Sequence, residues 1–102
     1  MKVIKIRMEY SCYPMWVYNE TGELIDNDLV EEIEVDGKID KILIEVQSMY
    51  DGLFENNSTN FEFIGFRNEV DRAMFFEKIG NVINLIKEEI GGKYIIENEV
   101  AI

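Results

Sequence analysis

Residues 2–10 alternate apolar with charged side chains: Ile4, Ile6, Met8 and Tyr10 interleave with Lys5, Arg7 and Glu9. A period of two predicts a half-buried strand. Ser11-Cys12-Tyr13-Pro14 interrupts it, because Pro14 has no N–H for a central ladder and favours an edge or a turn. Met15-Trp16-Val17-Tyr18 resumes as a second strand. Asn19-Glu20-Thr21-Gly22-Glu23 follows as a turn, with Gly22 at positive φ, and Leu24-Ile25 reads as a short return strand. Asp28 or Asn27 can then cap a short helical turn, placing Glu31 and Glu32 near its positive end.

Beyond Gly37 the period lengthens. Ile39, Ile42, Leu43, Val46, Tyr50 and Leu53 recur every three or four residues, which predicts an amphipathic helix from about Ile39 to Leu53. Asn56–Asn60 is a polar loop, and Phe61-Glu62-Phe63-Ile64-Gly65-Phe66 predicts a third strand. Phe76, Ile79, Ile83, Ile86 and Ile90, widened by Phe75, Val82 and Leu85, predict a second helix over Glu69–Ile90. Asn68 caps its start, and Gly91-Gly92 ends it in the left-handed manner. Lys93–Glu97 is a final strand, and the last five residues are expected to fray.

The order β-β-α-β-α-β predicts an α+β fold: a four-stranded, mostly antiparallel mixed sheet with two helices packed on one face. The first two strands form an antiparallel pair. The third strand, long helix and fourth strand read as a right-handed parallel crossover. The opposite sheet face stays partly exposed. With 102 residues and no repeat, linker or low-complexity stretch, residues 1–102 are expected to form a single domain.

Composition narrows the chemistry. The chain carries 21 acidic and 10 basic residues and no His, for a formal net charge of −11. That balance disfavours nucleic acid and anionic membranes as partners, since both require a surplus of Lys and Arg. No apolar run matches a signal peptide or a transmembrane helix, so a soluble cytoplasmic protein is expected. Cys12 is the one cysteine, so no intramolecular disulfide can form.

Catalysis finds little support. There is no His for acid–base work near neutral pH, and Cys12 has no evident activating base. Gly91-Gly92 lacks the Lys-Ser/Thr of a phosphate loop. Asp26-Asn27-Asp28 starts like a calcium loop, but Val30 and Glu31 depart from the pattern. Zinc is excluded by one Cys and no His. No metal or other cofactor is therefore expected, and a small enzyme using paired carboxylates is a remote third choice.

The distribution of charge is more informative than its total. Glu20, Glu23, Asp26, Asp28, Glu31, Glu32, Glu34, Asp36 and Asp40 fall within 21 residues that contain one base, Lys38, giving −8 there and −3 elsewhere. One reading is a solvated loop that keeps the protein soluble. The other is a surface that steers and grips a basic partner, with Tyr13, Trp16, Tyr18 and Tyr50 as candidate anchors, Trp16 being better suited to the core.

The run Glu9-Tyr10-Ser11-Cys12-Tyr13-Pro14-Met15-Trp16-Val17-Tyr18, followed by Gly22-Glu23-Leu24-Ile25-Asp26-Asn27-Asp28-Leu29, resembles a segment of small acidic bacterial immunity proteins from polymorphic-toxin and contact-dependent inhibition systems. The resemblance implies a non-enzymatic protein that binds and neutralises a cognate toxin domain. The charge suggests a basic toxin, and a nuclease is one class whose groove would carry that charge. The binding residues expected are the acids Glu20, Glu23, Asp26, Asp28, Glu31, Glu32, Glu34 and Asp36, with the aromatic anchors Tyr13 and Tyr18. The alternative is a homo-oligomeric assembly module, such as a homodimer, joined through the open sheet face or the broad apolar face of helix 69–90, with no toxin partner.

Overall fold

A computed structural model describes the whole chain, Met1–Ile102. Its elements are β1 (Lys2–Ile6), β2 (Met15–Tyr18), β3 (Leu24–Asp26), α1 (Lys38–Asp51), β4 (Phe54–Asn56), β5 (Phe61–Phe63), α2 (Glu69–Ile90) and β6 (Tyr94–Asn98). Four strands form a mixed sheet in the order β3-β2-β1-β6, with β1 antiparallel to β2 and parallel to β6. β4 and β5 form a separate two-stranded antiparallel sheet. The α+β class and the mixed four-stranded sheet with two helices match the expectation.

The membership of that sheet does not match in one strand. Residues 61–66 were expected to enter it and to feed a parallel crossover into the last strand. Instead β6 lies beside β1, with Ile4 opposite Ile96, and the edge position on the far side goes to the short return strand β3. The reason is burial. β1 brings Ile4 and Ile6, both fully buried, whereas all three residues of β5 are exposed. Pairing β6 with β1 sets Tyr94 and Ile96 on the helix-covered face beside Ile4 and Ile6, whereas β5 turns back on β4 directly after α1 and keeps its two phenylalanines outside that core.

One sheet face meets both helices. Ile4, Ile6, Met15, Val17 and Tyr94 from the strands join Leu43 and Val46 of α1 and Phe75, Ile79, Val82, Ile83, Ile86 and Ile90 of α2 in one cluster of 17 buried residues. The helical stripes are those that the spacing of three and four predicts. α2 begins where Asn68 accepts from the Asp71 amide at 2.9 Å. Its end departs from expectation: Gly91 has φ −60°, right-handed, and closes the helix by donating to the Lys87 carbonyl at 2.9 Å. Glycine is needed there for close approach, since a Cβ would collide with that carbonyl.

Two loop expectations also resolve. Gly22 does take positive φ, +88°. Between Asn27 and Gly37 there is no helical turn capped by Asp28 or Asn27, only tight turns closed by Ile33 N–H to Val30 O and Gly37 N–H to Glu34 O. Asn27 is used elsewhere: its amide donates to the Tyr13 and Met15 carbonyls at 2.6 and 3.0 Å, tying the loop to the start of β2.

Candidate partner-binding surface

The acidic segment occupies the β2–β3 turn, β3 and the loop that leads into α1. Val30 and Ile33 anchor this loop by burying themselves in the core. With those two turned inward, Glu20, Glu23, Asp26, Asp28, Glu31, Glu34 and Asp36 are exposed, alongside the apolar side chains of Leu24, Ile25 and Val35. None of the seven is in a salt bridge: the three ion pairs of the molecule join Lys5 to Glu99, Arg7 to Glu9 and Lys78 to Glu45. Several have local duties. Asp26 accepts from the Asn27 amide, Asp28 from the Leu29 amide, and Glu23 from the Thr21 hydroxyl. These bonds shape turns and leave the charge unneutralised.

Two acids of the segment are structural. Asp40, 6% exposed, accepts from the Tyr13 hydroxyl at 2.7 Å and from the Asp36 amide at 2.9 Å. It sits in the first turn of α1, near the positive end of the helix, whose cap Gly37 makes no side-chain bond, and its carboxylate reaches back past that cap to the loop amide of Asp36. Glu32 is half-buried and accepts from the Tyr94 hydroxyl through both oxygens, at 2.9 and 3.1 Å. The carboxyl of Glu32 is held below its ordinary value, first by its own backbone amide and then by Tyr94. Burial, with help from Glu32, pushes Tyr94 up to about 12. Burial and the Asp40 bond push Tyr13 up likewise.

The two tyrosines named as contacts are thus differently placed. Tyr13 spends its hydroxyl on Asp40 beneath the acidic loop. Tyr18 lies on the sheet face away from the helices, its hydroxyl accepting from Arg7 Nη1 at 3.0 Å and its ring under Lys5 Nζ at 4.8 Å. Trp16 is on this same outer face and not in the helix-side core. It is buried because the Arg7 guanidinium covers its ring at 4.3 Å, while its indole N–H donates to the Arg7 carbonyl. The outer face is therefore a cation–aromatic layer, separate in chemistry from the acidic loop. Tyr50 joins an aromatic cluster with Phe54 at the far end of α1.

The fold extends the acidic surface with two residues that sequence reasoning did not include. Glu88 and Glu89, from the last turn of α2, share with Glu34 a cleft of about 370 Å³ that also includes one base, Lys38, and the apolar Ile33, Ile39 and Leu85. Residues 34 and 88 are neighbours only because the α2 C-terminus returns to the α1 N-terminus. The available signal was the Glu-Glu pair at a helix end, where carboxylates oppose the helix dipole and gain nothing locally.

The model of the Serratia CdiI immunity protein-like family matches residues 2–98. The chain belongs to that family. The match runs through every strand and both helices, so family membership covers the acidic loop and the β4–β5 hairpin alike. No curated protein matches the chain. No helix of this family member is long and apolar enough to cross a membrane. No group of three or more Cys, Asp or Glu side chains is arranged to hold a metal ion.

Proposed function

We propose that the protein is an immunity protein that acts in the cytoplasm, without catalysis, by binding a cognate basic toxin domain through its acidic surface. Membership of an immunity protein-like family supports the class. The observation that carries the binding mode is the set of seven exposed carboxylates between Glu20 and Asp36 with no cation paired to any of them. Like charges held together cost stability, and a protein that needed them only for solubility could scatter them. An ordered loop, anchored by Val30, Ile33 and Asn27, holds these in fixed positions, so a complementary surface meets little loss of conformational freedom on binding. Were the toxin a nuclease, its phosphate groove would have the positive charge required, and the acidic loop would occupy it in competition with substrate.

The test is to replace Asp26, Asp28, Glu31 and Glu34 together by Lys and follow association with the cognate toxin domain. Association at low salt should slow by about tenfold or more, with the salt dependence largely removed. Thermal stability should change little, because all four side chains are exposed. An unchanged association rate would exclude the acidic loop as the steering surface.

A further inference from the structure

The end of the molecule remote from the acidic loop carries an apolar surface that nothing in the fold covers. Phe61 and Phe63 are 52% and 53% exposed, and Ile64, the next residue, is 58% exposed. Single exposed hydrophobic side chains are ordinary, but three large ones within four consecutive residues form a patch. Cross-strand packing with Phe54 and Tyr10 explains where the two rings sit, not why half of each faces water. Beside them a cleft of about 400 Å³ opens between the end of α1 and the start of α2, with Met49, Leu53, Ile64 and Phe66 in its lining.

Charge indicates what fits. Residues 51–72 contain five acids, Asp51, Glu55, Glu62, Glu69 and Asp71, against two bases, Arg67 in the lining of the cleft and Arg72 over the Phe66 ring at 5.9 Å. Glu55 and Glu62 are direct partners across the hairpin, an unfavourable pairing of like charges, and neither has a cation in a salt bridge. Side chains alternate along a strand, so this pair occupies the face opposite Phe54, Phe61 and Phe63. The hairpin is aromatic on one side and anionic on the other. A second copy of the chain suits it poorly, since two β5 edges paired about Glu62 would set that carboxylate against itself. A basic surface with an apolar pocket satisfies both sides.

We propose that the β4–β5 hairpin is the anchor of the toxin interface, with Phe61, Phe63 and Ile64 entering an apolar pocket of the toxin and Glu55 and Glu62 meeting cations beside it. This rests on the toxin-binding reading above and adds to it the residues that hold the complex. On this proposal one toxin domain spans both surfaces, along a molecule 43 Å in its longest dimension, with α1, about 21 Å long, between them. Ile44, 52% exposed on α1, lies between.

Surface plasmon resonance with the immobilised toxin domain and the full-length protein separates the rate constants. Phe63→Ser and Ile64→Asp should each raise the dissociation rate about thirtyfold or more and alter association less than about threefold. Phe63 packs on Phe54, so its loss can loosen the hairpin. Ile64 lies outside the ring stack, and I64D with unchanged circular dichroism and Tm decides the matter. Wild-type dissociation rates in both variants would remove the hairpin as anchor and leave the immunity role standing. Failure of the unaltered protein to bind the toxin would instead overturn the toxin-binding reading, and this proposal with it. A dimer in sedimentation velocity that I64D abolishes would make the patch a self-association site and equally overturn the proposal.

Discussion

The acidic loop and the aromatic hairpin sit at opposite ends of α1 and are held by different forces. Residues 27–37 lead into the α1 N-terminus and are pinned by buried apolar plugs and by hydrogen bonds from distant residues: Tyr13 to Asp40, Tyr94 to Glu32, Asn27 to the start of β2. The hairpin leaves the α1 C-terminus and returns to α2. Its only backbone ladder is its own, and side-chain rings attach it to the body, with Phe54 at their centre 5.2–5.3 Å from Tyr10, Tyr50, Phe61 and Phe63. Both ends are acidic, but one presents charge on a rigid frame and the other presents rings on a tethered one. Directional bonds fix where a charge stands, which long-range steering requires. Ring contacts tolerate small shifts, which suits a surface that must settle into a pocket.

The largest effect should come from Phe54→Ala, which removes the ring that four others touch. A loss of about 3 kcal/mol is expected within the hairpin, at the low end for a phenylalanine because the residue is only half-buried. Two strands of three residues cannot persist without side-chain support. Amide hydrogen exchange should therefore accelerate from residue 54 to 64 while protection around 27–40 stays as it was. Equal acceleration at both ends would mean that the hairpin and the loop unfold as one unit, and the contrast between them would collapse.

The corresponding lesion at the other end is Asp40→Ala. It leaves the Tyr13 hydroxyl and the Asp36 amide without their acceptor in a site only 6% exposed. A cost of about 2 kcal/mol is expected in chemical denaturation. Asp40→Asn, which keeps one oxygen acceptor, should recover part of it. Toxin association should also slow, since Asp36 and its neighbours lose their fixed position, while the dissociation rate set by the hairpin should move less. If D40A leaves association unchanged, rigidity of the loop is irrelevant to steering.

Sequence periodicity made some of this architecture legible. The stripe from Phe75 to Ile90 with Asn68 ahead of it defines α2 to the residue, because a helix of six turns repeats its signal many times. The hairpin was hidden for the opposite reason. β4 is three residues, Phe54-Glu55-Asn56, lying directly behind a helix end, and its last residue reads with the next four as an ordinary polar loop, Asn56–Asn60. Its turn is nonetheless specified: the Asn57 side chain accepts from the amide and hydroxyl of Thr59, and Asn57 and Asn60 exchange backbone bonds. Pairing β6 with β1 joins residues more than ninety apart, which no local pattern encodes. The acidic segment was legible as a count of charges. Which of its members are free was not, because the partners that tie down Asp40 and Glu32 lie 27 and 62 residues away.

The smallest effect tests the restraints on the loop end by pH. Tyr94 is pushed up to about 12 by burial and by Glu32, so its protonated hydroxyl is favoured in the folded protein. That contribution to stability is complete below the ordinary tyrosine value near 10 and is lost as pH rises through about 12. Glu32 behaves in the reverse sense. Its carboxyl is lowered, so its contribution is present above the ordinary value of 4.5 and is lost as pH falls through the lowered one. Absorbance titration of the five tyrosines should show Tyr13, Tyr50 and Tyr94 ionising late, and Tyr94→Phe should remove the component near 12. The acid limb should largely survive in Y94F, because the Glu32 backbone amide outweighs Tyr94 in holding that carboxyl down. An acid limb abolished by Y94F would mean that the Tyr94 hydroxyl, sixty-two residues away, is the main restraint on that stretch of the loop.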